Sequence, residues 1–579
     1  MANLIQSAKE RVNEILQSAY EKAAEKGQLP AGAVLSGTVE IPKDTANGDF
    51  AANHAMTGAR ALRMAPRKIA EALAENVELE GSWFRSVEVA GPGFINFRLS
   101  DKWYGDVIAA INAEGADYGR SDEGRGQKVM VEFVSANPTG PMHMGNARGG
   151  VLGDSLASVL DRAGYDVWRE FYVNDAGNQI EKFASSIDAR YQQLILGEDW
   201  VEFPEDGYHG DDIKELAALF REKYGDEYLD KDTAERHAVM ARFGLDRNIP
   251  KMQSDLRRYG IEYDQWFFES SLHESGYVAD SVAALTERGY TYEKDGALWL
   301  ATSRLLGDKL RAAGKSEADI EKLALKDDVL RRANGFYTYF AADIAYHRNK
   351  LGQRGFDKAI NIWGADHHGH VARLKAAMDA LGLDGEHRLD IVLMQLVKLT
   401  RGGEVVRMSK RTGKAISLTD LLDEIPVDAA RYFFNSRPES PVEFDLELAV
   451  RQDSENPVYY VQYAHARICT LIAALAAEGH AVPETADMSL LQHETEKELI
   501  KQLAALPEEI RLAARDYDPS RINKYVTELA ARFHRFYTAC RIKDAEEELL
   551  LARLLLADCV RRVIALSLGL IGVTAPEKM

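Results

Sequence analysis

The chain has 579 residues, and 71 lysines and arginines against 91 aspartates and glutamates give it a formal net charge of −20 at pH 7. A hydrophobic content of 46% with 28% charged residues is typical of a globular protein and excludes a mainly disordered chain. Three cysteines without a CxxC pair exclude a disulfide scaffold. Since an acidic surface repels phosphate, general coating of nucleic acid is excluded as well.

No signal-peptide core is present at the N-terminus, and the most apolar stretch, residues 563–573, is too short to span a bilayer. We therefore expect a cytoplasmic protein that does not enter a membrane. Charge is sorted by region: residues 401–414 and 521–543 are basic, whereas residues 198–212 contain seven acids and no lysine or arginine.

The first part of the chain, residues 1–115, predicts a small α+β domain. Apolar residues recur at helical spacing over residues 4–25 and again near residues 69–73. Two short runs, residues 87–90 and 94–99, predict strands around the turn Gly91-Pro92-Gly93.

Residues 116–440 predict an α/β domain with a Rossmann-like parallel sheet. Buried strands alternate with amphipathic helices, and this order favours parallel strands with right-handed crossovers. Residues about 197–330 are predicted to form a polar, helical insertion that splits the sheet. The expected strands are 129–135, 167–173, 359–364 and 389–399, and the expected helices are 147–163, 180–196 and 369–381.

The last part of the chain, residues 441–579, predicts an all-helical domain. Asn456-Pro457 has the order of an N-cap followed by a proline at the first helical position. Further helices are expected at residues 493–516, 519–540 and 543–570.

The segment from Val131 to Gly150 predicts a phosphate site. It reads as a buried strand that turns into a helix N-terminus, and this end of an α/β sheet binds anions. His143 and Asn146 lie on the first helical turn, where both can donate to one anion, and Gly145 allows close approach of a nucleotide. The alternative for this motif alone is an ordinary turn with a structural histidine.

The segment from Lys398 to Lys414 is a basic loop punctuated by glycine. Lysines in such a loop suit a polyphosphate that is held in a transition state and then released. The alternative for Met408-Ser409-Lys410 alone is a solvated basic hairpin.

Together the two segments resemble the signatures of class I aminoacyl-tRNA synthetases. Met408-Ser409-Lys410 is similar to the Lys-Met-Ser-Lys-Ser loop, and residues 143–146 resemble His-Ile-Gly-His. Further matches, in order from residue 39 to the end, resemble the arginyl-tRNA synthetase family. They include Glu132, Ser135, Thr338-Tyr339, residues 343–347, 363–370, 456–467 and 575–579, and a signature motif of Ala136, Asn137, Pro138, Thr139, Gly140, Pro141, Met142, His143, Met144, Gly145 and Asn146.

This resemblance implies ATP-dependent activation of L-arginine to arginyl-adenylate with release of pyrophosphate. The arginyl group then passes to the 2′-hydroxyl of the terminal adenosine of tRNA(Arg), and AMP leaves. The implied partners are L-arginine, ATP with Mg²⁺ and tRNA(Arg), and we expect a monomer. The resemblance also implies that residues 1–115 form an additional tRNA-binding domain and that residues 441–579 form an anticodon-binding domain.

The implied arginine pocket must bind a guanidinium. This group is planar and carries several N–H donors, so the pocket requires a carboxylate and further acceptors in the same plane. By resemblance Asp343 and Tyr339 contact this group, and their spacing of four places them on one helix face. The alternatives are a capping role for Asp343 and a core position for Tyr339. The other implied ligands are Glu132 as a second acid, Ser135 and Asn137 at the α-amino group, and His143 near the α-carboxylate.

The implied catalytic residues stabilise a phosphoryl transition state, which requires positioning and neutralised charge rather than a protein nucleophile. His143 and Asn146 would donate to the pentacovalent phosphate, and Lys410 to the leaving pyrophosphate, with Lys414 as a helper. The implied ATP site comprises His143, Gly145, Asn146, Gly364, Asp366, His370, Met408, Ser409 and Lys410.

Two positions depart from the family pattern. Asn146 replaces the second histidine of the signature; its amide can donate to phosphate but cannot carry a proton. Gly140 stands where many arginyl enzymes place a compensating lysine, so the phosphate lysine is assigned to Lys410.

The cluster Asp366-His367-His368 with His370 invites a zinc interpretation. We expect no protein-bound zinc, because Gly364-x-Asp366 resembles the turn that holds the ribose of ATP in class I enzymes.

Contacts to tRNA are expected outside the sheet, where aromatic residues among cations suit single-stranded bases. Residues 521–543 fit this pattern through Tyr525, Phe533, Phe536 and Tyr537; the alternative is an amphipathic helix with a solvated basic face. The expected tRNA-binding residues are Tyr459, Tyr460, Gln462, Tyr463, Arg467, Arg532 and Arg535.

Two other functions compete with this interpretation. A related nucleotidyltransferase would have no use for the helical C-terminal part. A tRNA-binding regulator without activity predicts broken signatures, whereas His143, Lys410, Asp343 and Tyr339 are all present.

Overall fold

The structure is a computed structural model that describes residues 3–395, 397–406, 416–436 and 442–579, without the side chains of Asp366 and Val442. Met408, Ser409, Lys410 and Lys414 lie outside these ranges. Within them, no helix is both long and apolar enough to cross a membrane.

The N-terminal part is an antiparallel sheet of order β1-β2-β4-β3 packed against helices. The amphipathic α1 buries one face, which includes Val12 and Leu16, against this core. The α+β prediction is therefore confirmed. The elements are α1 Leu4–Glu25, β1 Val39–Glu40, β2 Phe50–Ala52, α2 His54–Leu62, α3 Pro66–Asn76, β3 Phe84–Ala90, β4 Phe94–Leu99 and α4 Asp101–Glu114.

The central part contains a parallel sheet of order β12-β11-β5-β6-β7. Its β5 is almost entirely buried, as expected for a strand covered by helices on both faces. The elements are β5 Lys128–Glu132, α5 Met144–Arg162, β6 Asp166–Val173, α6 Asn178–Leu196, β7 Gln265–Phe268, α13 Tyr339–Arg348, β11 Lys358–Gly364, α14 His368–Ala380, α15 Gly385–Arg388 and β12 Leu389–Met394.

The winding of this sheet reverses at β5. From β5 the chain moves through β6 to β7, and later it returns to the other side of β5 through β11 and β12. The reversal leaves a crevice at the carboxyl ends of β5 and β11, and open α/β sheets bind their ligands at such a point.

Small residues bring α5 close to the sheet beneath this crevice. A Cβ added to Gly153 would lie 2.2 Å from Cγ of Phe133, and one added to Gly150 would lie 2.7 Å from Cδ1 of Ile261. Side chains at these positions would push the helix outward. The N-terminus of α5, which carries His143, is thereby fixed against the end of β5.

The insertion predicted as helical at residues 197–330 also contains strands. Gln265–Phe268 forms β7, the edge strand of the parallel sheet, and three other strands form a separate antiparallel sheet of order β10-β9-β8. The remaining elements here are α7 Asp211–Tyr224, α8 Thr233–Arg258, α9 Ser270–Glu274, α10 Tyr277–Glu287, β8 Thr291–Lys294, β9 Ala297–Leu300, α11 Thr302–Ala312, α12 Glu317–Lys322 and β10 Asp328–Arg331.

The predicted single strand at residues 389–399 is wrong, because the chain changes sheets within it. Residues after β12 form a second strand, β13, which pairs in parallel with β15 and antiparallel with β14. Since β15 lies beyond residue 441, the last part of the chain is not helical throughout. The elements are β13 Val397–Arg401, β14 Glu404–Val405, α16 Leu418–Glu424, α17 Val427–Asn435, β15 Val442–Asp445 and α18 Leu446–Val450.

A helical bundle completes the chain. Its first helix begins at Pro457, and the side chain of Asn456 accepts a hydrogen bond from the backbone N–H of Val458, which confirms the predicted cap. The helices are α19 Pro457–Ala477, α20 Glu494–Ala504, α21 Leu506–Asp516, α22 Ser520–Ala539 and α23 Glu547–Leu570.

Arg431 of α17 connects the bundle to the central sheet. Its fully buried guanidinium pairs with Asp154 of α5 at 2.5 Å and donates to the backbone carbonyls of Tyr259 and Ile571. One side chain therefore joins the signature helix, the loop after α8 and the end of α23.

The Arg431→Ala variant should be much less stable than the wild type. It leaves buried acceptors without a donor, and breaking a buried pair costs about 3–5 kcal/mol. Thermal unfolding should show a melting temperature several degrees lower. The control is Arg451→Ala, which removes an exposed ion pair with Glu455 and should change little; equal melting temperatures for the two variants would contradict the role of Arg431.

Candidate active site

The chain leaves β5 through a strained turn. Val134 and Ser135 follow the strand with φ angles of 70° and 42°, in the left-handed region that β-branched and other L-residues seldom occupy. Such strain persists where surrounding contacts hold it, commonly at functional sites. Here the hydroxyl of Ser135 accepts a hydrogen bond from the backbone N–H of Tyr172 at 3.2 Å and donates to Glu132 at 2.9 Å.

Glu132, the last residue of β5, is paired with a buried cation. Its Oε2 lies 2.5 Å from Nζ of Lys350, whose side chain is fully buried in the π-helical turn Asn349–Gln353. Both carboxylate oxygens of Glu132 thus have protein partners, the ammonium and the hydroxyl of Ser135. Its charge is compensated within the protein.

Lys350 also starts a directed chain of hydrogen bonds. Its Nζ donates to Oδ1 of Asn361 at 3.1 Å, and Nδ2 of Asn361 donates to Nε2 of His347 at 2.7 Å. His347 therefore carries its proton on Nδ1, which donates to the backbone carbonyl of Asp343 at 2.8 Å. Burial, with Lys350 nearby, lowers the pKa of His347 well below its usual range, so the ring is neutral.

Asp343 faces the crevice from α13. The N-cap of this helix is Thr338, so Asp343 does not cap it, and its side chain is 35% exposed. One carboxylate oxygen lies 3.0 Å from Nε2 of His370. Within the described ranges Asp343 has no lysine or arginine partner.

His143 and Asn146 cap the N-terminus of α5 as a pair. Nδ1 of His143 accepts from the backbone N–H of Gly145, and Oδ1 of Asn146 accepts from the N–H of His143 at 3.0 Å. Loss of water contact lowers the pKa of His143. The neutral ring keeps Nε2–H as a donor and Asn146 keeps its amide N–H groups, so both side chains retain a donor that the cap does not use.

A cavity of about 1290 Å³ brings these groups together at the carboxyl ends of the strands. The expected site residues in its wall are Glu132, Ser135, Ala136, Asn137, Thr139, Gly140, Pro141, His143, Gly145, Asn146, Asp343, Gly364 and His370. Tyr339 does not line it: this residue is 39% exposed, and its Oη accepts from the backbone N–H of Gln179 at 3.1 Å. Tyr339 is therefore neither a core residue nor a wall residue. The expected ATP ligands Met408, Ser409 and Lys410, and the side chain of Asp366, lie outside the described part.

Sequence reasoning missed other wall residues. Tyr172 lies at the carboxyl end of β6, next to β5, so strand order alone would have suggested it. Tyr208 and His209 come from the acidic segment before α7 and close one side of the cavity, and no pattern in the sequence pointed to them.

No cluster of three or more His, Cys, Asp or Glu side chains is placed to hold a metal ion among the residues that the structure describes. His370 is instead engaged by Asp343 and by Arg373, whose Nη2 lies 3.1 Å from Nδ1 of the ring.

A second cavity, of about 830 Å³, lies in the helical bundle. It is basic and aromatic, with Arg467 stacked 4.2 Å from the ring centre of Tyr537. The last two residues of the chain, Lys578 and Met579, form part of its wall. The remaining wall residues are Tyr463, Ala466, Thr470, Leu471, Ala474, Arg541, Ile542, Lys543 and Asp544.

Three expected tRNA contacts already have partners within the protein. Gln462 is buried and donates to Asp428 and to the carbonyl of Thr574, so it holds the C-terminal segment rather than presenting a surface. Arg532 and Arg535 both pair with Glu528.

The aromatic side chains of α22 and of α19 differ in their exposure. Tyr525, Phe533 and Phe536 are buried, so the prediction that they stack on bases is wrong, and α22 is amphipathic with an aromatic core face. Tyr463, in contrast, is 41% exposed and lies parallel to Tyr459, with 6.2 Å between ring centres. Tyr460 packs against His534.

Three family models match the chain in succession. Residues 6–99 match the arginyl-tRNA synthetase N-terminal domain, residues 107–445 the class I (R) tRNA synthetase catalytic domain, and residues 461–579 the DALR anticodon-binding domain. The fold and the site at the strand ends are thus those of a class I aminoacyl-tRNA synthetase.

Full-length relatives define the family within that class. The chain is 54% identical to the arginine–tRNA ligase of Caldanaerobacter subterraneus and 51% identical to that of Acetivibrio thermocellus, with 100% of each chain covered in both cases. The arginyl-tRNA synthetase of Thermus thermophilus has the same fold, with a TM-score of 0.72 at 21% identity over 98% of this chain and 100% of the other. The chain belongs to the arginyl-tRNA synthetase family.

The buried pair of Lys350 and Glu132 gives a stability prediction. Lys350→Met should lower the midpoint of chemical unfolding, because it leaves a buried carboxylate uncompensated at a cost of about 3–5 kcal/mol. The double variant Lys350→Met/Glu132→Gln should recover most of this loss, since both charges are removed. Lys398→Met, which breaks an exposed pair with Glu443, is the matched control and should have little effect. An equal midpoint for Lys350→Met and Lys398→Met would refute the assignment.

Proposed function

We propose that the chain ligates L-arginine to tRNA(Arg): it activates arginine with ATP to arginyl-adenylate and transfers the arginyl group to the 2′-hydroxyl of the terminal adenosine. Family membership and the class I catalytic domain support aminoacylation with arginine. The observation that carries the proposal is one cavity whose wall contains both Asp343 and the donors His143 and Asn146.

The amino-acid end of the cavity fits a single cation. Lys350 compensates Glu132, whereas Asp343 has His370 beside it and no lysine or arginine partner in the described ranges. A guanidinium would supply the missing charge and a planar set of donors. Lysine or citrulline would leave polar groups of the wall unpaired, and a site of this kind discriminates strongly without a separate editing step.

The phosphate end of the cavity fits the reaction's transition state. The arginine carboxylate would attack the α-phosphate, and the bond to pyrophosphate would break. His143 and Asn146 are held by the cap in an orientation that needs no rearrangement as charge develops, which is the condition for electrostatic stabilisation. Lys410 is proposed for the leaving pyrophosphate, with Met408 and Ser409 at ATP, from the family signature.

Mg²⁺ would accompany ATP rather than occupy a protein site. Its contribution would be to neutralise phosphate charge, which the protein complements with Nε2–H of His143 and the amide of Asn146.

The bundle cavity is proposed as a tRNA contact. Tyr463 and Tyr537 offer rings for a base, and Arg467 provides a cation beside them. A single base on a single-stranded loop can enter such a pocket. Residues 1–115 are proposed as a further tRNA-binding domain, and monomeric and cytoplasmic states stay predictions.

Exchange of pyrophosphate into ATP tests the proposed function. With arginine and tRNA(Arg) present the wild type should catalyse exchange, and lysine and citrulline should give none. Measuring the same reaction without tRNA separates activation that depends on tRNA from activation that does not. Absence of exchange with every amino acid, with and without tRNA, would contradict the proposal.

In this assay His143→Asn separates the capping role from the catalytic role. Asparagine is a good N-cap, so the melting temperature should stay unchanged. Loss of the Nε2–H donor should lower kcat by about 100-fold or more, as for removal of one oxyanion donor. His387→Asn, at an exposed histidine, is the control. Wild-type kcat in His143→Asn would exclude a donor role.

Arg467→Ala tests the tRNA surface. Without this cation the KM for tRNA should rise several-fold, and the slope of log affinity against log salt should fall by about one, while the KM values for arginine and ATP stay unchanged. Arg532→Ala is the matched control, because Arg532 already pairs with Glu498 and Glu528. A larger effect from Arg532→Ala than from Arg467→Ala would place the contact elsewhere.

A further inference from the structure

His370 has two ring nitrogens and two protein partners. Nε2 lies 3.0 Å from Oδ2 of Asp343, and Nδ1 lies 3.1 Å from Nη2 of Arg373. The side chain of His370 is 18% exposed, and its ring packs against Phe340 and Trp363. Both the place and the orientation of the imidazole are therefore fixed.

Arg373 determines which nitrogen carries the proton. A guanidinium can only donate, so Nδ1 must accept, and the proton lies on Nε2. The ring is then neutral and donates to Asp343. Arg373 is itself held by Asp328, whose other oxygen accepts from the hydroxyl of Thr302. The chain of donors thus runs in one direction, from Arg373 through His370 to Asp343.

We infer that His370 is a positioning residue for arginine, not a ligand of ATP. By donating to Oδ2 it holds the carboxylate of Asp343 in one orientation and leaves Oδ1 directed to the cavity. Because the ring is neutral, the carboxylate keeps its full charge for the substrate guanidinium. A protonated imidazole at this place would instead be a second cation that competes with the substrate.

This inference rests on the proposed function and deepens it at the amino-acid end. It differs from the ATP role that the family resemblance implies for His370, and the two roles predict opposite changes in KM. A ligand of ATP raises the KM for ATP when it is removed. A residue that acts through Asp343 raises the KM for arginine alone.

The test compares two substitutions in the exchange assay. His370→Phe keeps a ring between Phe340 and Trp363 but removes the donor, and it should raise the KM for arginine at least tenfold while the KM for ATP stays within twofold. His370→Gln places an amide N–H where Nε2 was and should keep the KM for arginine within threefold. His368→Phe, the same change at an exposed neighbour, should have no effect.

Arg373 provides a second test that leaves the imidazole in place. Arg373→Met removes the donor that fixes the tautomer and should raise the KM for arginine, whereas Arg373→Lys, which can still only donate, should retain more of the affinity. This pair decides the matter if His370→Phe does not fold.

Three results would overturn the inference in an active enzyme. They are a raised KM for ATP with an unchanged KM for arginine in His370→Phe, equal losses in His370→Phe and His370→Gln, or unchanged arginine binding in Arg373→Met. A wild type that exchanges no pyrophosphate with arginine would instead overturn the proposed function, so the two failures are distinguishable.

Discussion

Charges in and beside the parallel sheet must be compensated, and this requirement organises the site. Glu170 of β6 is fully buried and pairs with Arg354, and Glu132 of β5 pairs with Lys350. In both pairs the compensating cation is a side chain of the protein. Asp343, whose side chain is 35% exposed, has an imidazole as its neighbour, and no lysine or arginine pairs with it in the described ranges. A substrate cation can provide that compensation, and its planar shape can use the fixed orientation of the carboxylate.

The fold places Asp343 in the same cavity as the side chains of His143 and Asn146. Reversal of the winding at β5 opens the crevice, and the glycines of α5 let the helix N-terminus approach the strand end. His143 retains a donor although it caps the helix: Nδ1 accepts from the backbone N–H of Gly145, and Nε2–H remains for a ligand. Arg431 connects the same helix to the end of the bundle, so the anticodon-binding region and the site share one rigid element.

Patterns of a few consecutive residues predicted those strands, helices and caps that form from residues close together in the sequence. The strand that ends near Glu132, the helix after it and the cap at Asn456 each show in a few consecutive residues. Contacts between distant residues left no such trace: Lys350 is 218 positions from Glu132, and no motif marks it. The strand Gln265–Phe268 has only four residues, too short for a periodic pattern to separate it from the helices around it.

The errors in the bundle have a related cause. The aromatic and basic residues of the segment 521–543 are compatible with two arrangements. One is a surface that binds nucleic acid, and the other is an amphipathic helix. Only packing shows that Phe533 and Phe536 face the core, while Tyr537 reaches the second cavity. Gln462 resembled a surface residue in the same way, but its amide holds Asp428 and the C-terminal segment.

A crystal structure of the protein with bound arginine would show which carboxylate binds the guanidinium. The account predicts that the guanidinium lies within about 3 Å of Oδ1 of Asp343, as a charge-assisted hydrogen bond requires. It also predicts that His370 stays on the other oxygen and that Lys350 still pairs with Glu132. A guanidinium bound to Glu132 with Lys350 displaced, and with no contact to Asp343, would contradict it.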